Sequence, residues 1–97
     1  MKFGLDNSLI EAIISLAAKY ETVKRIVIFG SRATGDYKEY SDIDLAIYCD
    51  SKFPTEFYFD LDEAAGIYKT DIVDMGNLHN SAMYKSIEEQ GVEIYKR

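Results

Sequence analysis

IVIFGSRATGDYKEYSDIDLAIYC, residues 26 to 49, is the stretch that organises the chain. It opens on four consecutive apolar residues, Ile26-Val27-Ile28-Phe29, and stops at Gly30-Ser31. A short, β-branched run closed by a breaker predicts a buried strand. The stretch ends on alternation. Asp42, Asp44, Ala46 and Tyr48 fall on one side, and Ile43, Leu45, Ile47 and Cys49 on the other. Period two predicts a second strand with one face on the core. Between the two, Ser31 to Ser41 is polar and contains Gly35, which predicts a short helical turn followed by a loop.

On the N-terminal side, Leu9, Ile10, Ile13, Ile14, Leu16, Ala17 and Tyr20 recur at helical spacing and predict a helix within 5–20. Asp6, Asn7 or Ser8 can cap its start, and Glu11 follows Ser8 at the capping-box distance. On the C-terminal side, Pro54 suits a first helical turn. Phe57, Tyr58, Leu61, Ala64, Ala65 and Tyr68 then predict a helix from Glu56 that ends near Lys69. Thr70 to Met75 reads as a third, short strand. Asn80 or Ser81 to Gln90 reads as a last helix with Gly91 as its C-cap, and Val92 to Tyr95 as a small edge strand or tail. The expected fold class is α/β (α+β), a small mixed sheet of three to four strands with helices packed on it.

Composition bounds the function. Ninety-seven residues suit one domain, 1–97, and 47% hydrophobic with 29% charged residues is a globular balance rather than a disordered one. Seventeen acidic against eleven basic residues give a net charge of −6, which disfavours long DNA or RNA as the main ligand. Cys49 and His79 are the only cysteine and histidine, so neither an internal disulfide nor a Cys/His metal cage can form. That usage suits a reducing, cytoplasmic compartment. No apolar run approaches the ~20 residues of a membrane span. The run Leu9 to Ala18 is interrupted by Glu11 and reads as an amphipathic helix rather than a signal sequence.

Three features point to chemistry. Gly30-Ser31 leaves a buried strand and enters a helical turn, where free amides attract anions and a glycine allows close approach of a phosphate. Gly30 and Gly35 have Walker A spacing, but Asp36 stands where the lysine should be, so the loop is not of that type. Asp42 and Asp44 lie on one strand face, roughly 6.6 Å apart along the chain. Their mutual repulsion is relieved by a divalent cation such as magnesium, which takes carboxylates together with substrate phosphates. A third acid lies in the next strand: Asp71 shares one face with Val73, Asp74 the other with Ile72, and either can complete a three-carboxylate cluster. Cys49 reads as a core residue, and His79 has no Ser or Cys partner for a triad.

Gly30-Ser31-Arg32-Ala33 followed by Ser41-Asp42-Ile43-Asp44-Leu45 resembles the motif of the minimal nucleotidyltransferases of the polymerase-beta-like superfamily. The resemblance extends over most of the chain, from the preceding helix to Gly91-Val92-Glu93-Ile94-Tyr95. It implies transfer of a nucleoside monophosphate, usually AMP from ATP, to an acceptor hydroxyl. It implies that Gly30 and Ser31 hold the β- and γ-phosphates, with Ser41 in support and Arg32 as a supporting phosphate or partner contact. It implies that Asp42, Asp44 and Asp71 are the catalytic carboxylates and bind two Mg2+ ions. Thr34 stands where the family often has arginine. Stand-alone members of this size resemble the antitoxin half of toxin–antitoxin modules whose partner is a HEPN-type ribonuclease, neutralised by AMP on a tyrosine. Two other readings compete. One is a binding module that neutralises its partner by occlusion, with Tyr37 and Tyr40 at the interface. The other is transfer to a small molecule, with the acceptor site on another subunit. A homo- or hetero-oligomer is compatible with any of these readings.

Overall fold

A computed structural model describes residues 1–97. The elements run α1 (Asn7–Ala18), β1 (Val23–Phe29), α2 (Ser31–Thr34), β2 (Ile43–Cys49), α3 (Thr55–Ala65), β3 (Thr70–Asp74), a 3-10 turn (Met75–Asn77), α4 (Ser81–Gln90) and β4 (Val92–Lys96). The four strands form one sheet in the order β3-β2-β1-β4. β1 pairs antiparallel with both β2 and β4, while β2 and β3 are parallel, so the sheet is mixed as expected. Parallel neighbours need a crossover, and α3 supplies it.

The two faces of the sheet are covered unequally. Ile26, Ile28, Ile43, Leu45 and Ile47 pack with Ile13 and Ala17 of α1 and with Phe57, Leu61 and Ala65 of α3. At ~1.5–3 kcal/mol for each large aliphatic or aromatic side chain, this layer carries most of the hydrophobic stabilisation. Tyr20 closes it, with its ring 5.1 Å from that of Phe57 and its hydroxyl donating to Asp60. On the opposite face only α4 and the 3-10 turn pack down, and the buried set is just Val27, Ala46, Met75 and Ile87. Val27 and Ala46 are register partners across β1 and β2, which explains the unbroken apolar run: β1 is covered on both faces. Asp44 shares the face of Ala46, beyond the small cluster under α4.

Several boundaries differ from expectation. β1 starts at Val23 because a register shift between Val23 and Arg25 breaks the alternation there and hides the strand start behind Lys24 and Arg25. α3 ends at Ala65, not near Lys69, because Gly66 follows at φ +62°. The Ser8–Glu11 capping box does not form: the cap residue is Asp6, with no side-chain bond, and Ser8 lies inside the helix. At α4 the Asn80 side chain does cap, accepting from the Met83 N–H at 3.0 Å. Gly91 ends α4 but not in a left-handed conformation, its φ being −73°. It is glycine for space, since a Cβ there would overlap Val27 Cγ1 and the Ile87 carbonyl. Gly91→Ala is expected to destabilise by about 1–3 kcal/mol, read as a lower urea midpoint.

Candidate active site

The Gly30-Ser31 turn is built by backbone conformation. Gly30 sits at φ +70°, ψ −154°, a region open to glycine alone, and reverses the chain from β1 into α2. Its carbonyl accepts from the Ala33 and Thr34 N–H groups at 3.1 and 3.2 Å. The amides of Ser31 and Arg32, as in any helix start, lack intrahelical partners. Gly35 at φ +92° ends α2 and donates its N–H to the Ser31 carbonyl at 2.9 Å. A side chain on Gly30 would run into the Asp44 carboxylate, so the turn and the acid are in direct apposition.

Asp44 is paired with Phe29 on one side and with Asp71 on the other. Parallel partners place side chains on the same face, so Asp44 and Asp71 stand side by side. Asp42 lies two residues before Asp44, ahead of the strand proper. Burial pushes the Asp44 carboxyl up to about 6, with the charge and hydrogen bonding of Asp71 and the charge of Asp42 adding to it, and Arg32 pulling the other way. Asp74 is elsewhere: it partners Ile47 in the register and accepts from Gly76 N–H at 3.1 Å and Asn77 Nδ2 at 2.6 Å, capping the 3-10 turn. Of the two acids of β3, Asp71 is the one beside Asp44. Lys69 Nζ lies 3.9 Å from Asp71 in an exposed pair of little energetic weight.

Burying Asp44 beside these acids opposes its ionisation in the folded chain. Asp44 holds its proton more tightly folded than unfolded, where its value is about 4. Between about pH 4 and 6 the folded chain binds more protons, so stability falls as pH rises through that window. Metal-free Asp44→Asn is therefore expected to melt higher than the unmodified chain at pH 7.5, with the difference closing towards pH 4. Thermal melts in chelator read this directly.

Two expected phosphate contacts are placed differently. Arg32 is 1% exposed, and its guanidinium donates to backbone carbonyls, so it does not face the open side of the turn. The Ser41 Oγ accepts from the Lys38 N–H at 2.7 Å, while the Ser41 N–H donates to the Lys38 carbonyl at 3.1 Å, closing the loop before Asp42. Thr34 donates to the Asp36 carboxylate at 3.1 Å. Tyr37 and Tyr68 both stand at Arg32: Tyr37 lies beside the active loop as the sequence suggests, whereas Tyr68 reads there as helix core and its place at the site is not legible. Cys49 packs against the larger core with its thiol pushed up by burial, and His79 is exposed.

The donor set is all oxygen, which fits a hard divalent cation. No three Asp, Glu, His or Cys side chains converge into a cage by themselves. Magnesium suits such a site because it commonly takes one or two carboxylates and completes its shell with substrate phosphates and water. The largest cavity, ≈ 550 Å³, has none of Gly30, Ser31, Asp42, Asp44 or Asp71 in its lining. It is lined by Phe53 after β2, Tyr58 of α3, and Ile72 and Asp74 of β3.

The polymerase beta, nucleotidyltransferase family model matches residues 11–97. The chain belongs to that family. The nucleotidyltransferase is 31% identical over 99 residues to the putative protein adenylyltransferase MJ0604 of Methanocaldococcus jannaschii, covering 93% of this chain and 97% of that one. It superposes on a toxin–antitoxin crystal structure with AMP-PNP at a TM-score of 0.75, with 22% identity, over 91% of this chain and 73% of the other. It also superposes on the complex of tri-AMPylated Shewanella oneidensis HEPN toxin with MNT antitoxin. There the TM-score is 0.69 at 21% identity, over 96% of this chain and 74% of that one. The structural likenesses establish the fold of the nucleotidyltransferase. No helix of it is long and apolar enough to cross a membrane.

Proposed function

We propose that this nucleotidyltransferase is a magnesium-dependent protein adenylyltransferase that moves AMP from ATP to a tyrosine of a HEPN-type ribonuclease and so acts as an antitoxin. The observation that carries the reading is the register of Asp44 with Asp71, on the face where Gly30 meets Asp44. An acid pair beside a glycine turn is costly for folding and useful for phosphoryl chemistry. The name of the Methanocaldococcus jannaschii relative and the AMPylated toxin in the structural neighbour support the choice of a protein acceptor.

In this reading Gly30 and Ser31 receive the β- and γ-phosphates, Gly30 by leaving room and Ser31 through its amide and hydroxyl. Asp42, Asp44 and Asp71 would hold the two magnesium ions. Bound there, magnesium supplies charge neutralisation of the triphosphate and polarisation of the reacting oxygens. The acceptor oxygen attacks the α-phosphorus, and the bond from that phosphorus to the bridging oxygen of the β-phosphate breaks. Pyrophosphate leaves, and the hydroxyl proton passes to the Asp71 carboxylate or to water. The acidic balance of the chain, −6, suits a basic protein partner.

The test combines purified protein, ATP, magnesium and a HEPN-type ribonuclease. The expected result is a mass gain of AMP on a ribonuclease tyrosine with loss of RNA cleavage. Inhibition of the ribonuclease with no mass gain would replace catalysis by occlusion.

A further inference from the structure

Three separate segments deliver the residues of the site, and one buried side chain touches all three. Arg32 lies on α2 directly after Ser31. Its Nε and Nη2 donate to the Ser41 carbonyl at 3.1 and 2.8 Å, one residue before Asp42. Nη2 also donates to the Glu39 carbonyl at 3.2 Å, which fixes the same loop from a second point. The guanidinium carbon lies 5.0 Å from the centre of the Tyr68 ring, in the segment that leads through Lys69 and Thr70 to Asp71. Its remaining contacts reach the N-terminal turn and the loop: Nη1 donates to the Phe3 carbonyl at 2.9 Å, and the Tyr37 ring centre is 5.4 Å away.

This is an expensive arrangement if its only purpose is to fill space. Removing a guanidinium from water carries a large desolvation penalty, and no ion pair of the chain includes Arg32. Carbonyl dipoles and aromatic faces take the place of a counter-ion. A leucine or methionine would fill the volume without that penalty. What arginine alone supplies is a rigid planar fork able to bind carbonyls from different segments at fixed angles. The backbone is also bent to reach it. Phe3, whose carbonyl Arg32 binds, is the one non-glycine residue at positive φ, +58°. Gly4 beside it lies so close to the Tyr37 ring that a Cβ would overlap the ring.

We infer that Arg32 is a positioning residue of the transfer reaction, whose guanidinium locks the Gly30-Ser31 turn, the segment ending at Asp42 and the segment leading to Asp71 into one arrangement. This rests on the reading of those residues as the nucleotide site. Its guanidinium donates to backbone carbonyls, so it acts mainly through the backbone it holds, and its charge also draws on the Asp44 carboxylate. Misplacing any of the three segments by about 1 Å weakens every contact that depends on their mutual spacing.

The test is binding of AMP-PNP with magnesium, measured by calorimetry alongside thermal melting. Arg32→Lys keeps the charge and loses the fork. It is expected to melt cooperatively and to bind roughly 10- to 100-fold more weakly. Leu61→Ala, in the α1/α3 core, is the control: it lowers the melting temperature and leaves the affinity unchanged. That contrast separates positioning from general stability. Should Arg32→Lys fail to fold, Tyr37→Ala decides, because Tyr37 is 37% exposed and only one stacking face is lost. It is expected to weaken binding by at least about twofold, the lower end of a lost cation–π contact. Unmodified affinity in folded Arg32→Lys, or in Tyr37→Ala where the lysine variant is unfolded, overturns the inference. No binding by the unmodified protein overturns the nucleotide-site reading and this inference with it.

Discussion

Asp42→Asn and Asp44→Asn are each expected to lower the rate of AMP transfer by roughly 10^3-fold, about 4 kcal/mol of transition-state stabilisation. Asparagine keeps the size of the side chain and one oxygen but loses the charge that holds a divalent cation against the triphosphate. The fold should not suffer. Asp44 is already disfavoured as a carboxylate by burial and by Asp71, so its neutral replacement stabilises the metal-free chain at neutral pH. Loss of transfer together with a higher melting temperature is a combination that unfolding cannot produce. It is the pattern of a group kept at the expense of stability. Single-turnover transfer with labelled ATP, measured beside the melts, checks both halves. Transfer within tenfold of the unmodified rate in both variants would remove these acids from the chemistry.

Gly30→Ala is expected to cost about 2–4 kcal/mol of stability and to reduce transfer below detection. Two causes add. The backbone at φ +70°, ψ −154° excludes an L side chain, and a methyl group there occupies the space of the Asp44 carboxylate. Either the turn or the acid must move, and both belong to the site. The two causes can be separated by a double-mutant cycle. Shortening Asp44 to alanine removes the collision and leaves the backbone strain, so Gly30→Ala should cost less in an Asp44→Ala background. Strictly additive urea-unfolding energies would show that the apposition of Gly30 and Asp44 carries no energy.

What the sequence discloses is what depends on neighbours along the chain. The alternation from Ile43 to Cys49 placed Asp44 on the face opposite the core, and the parity of Asp71 and Asp74 separated two acids that the register then sorted. Gly30 and Ser31 are legible only together with Asp42, Asp44 and the later acid, because a Gly-Ser turn by itself is usually just a turn. The start of β1 is not legible, since a register shift at Lys24 removes the period that would reveal it. Ser8 and Glu11 have the spacing of a capping box, but the helix begins at Asn7, two residues before a Ser8 cap would start it, and spacing does not select among three adjacent capping residues. From the sequence, Arg32 is expected to support a phosphate or partner contact. Its true surroundings come from Phe3, Glu39, Ser41 and Tyr68, and no local pattern announces carbonyls that tertiary structure brings together. Gly91 shows the same limit, because the side chain it makes room for, Val27, is in another strand.

The most direct test of AMP transfer incubates the protein with magnesium, a HEPN-type ribonuclease and ATP labelled at either the α- or the γ-phosphate. Label on the ribonuclease from α-labelled ATP, none from γ-labelled ATP, and none with Asp42→Asn is the expected result. Label from the γ-phosphate, or no label while the ribonuclease is still inhibited, would contradict it.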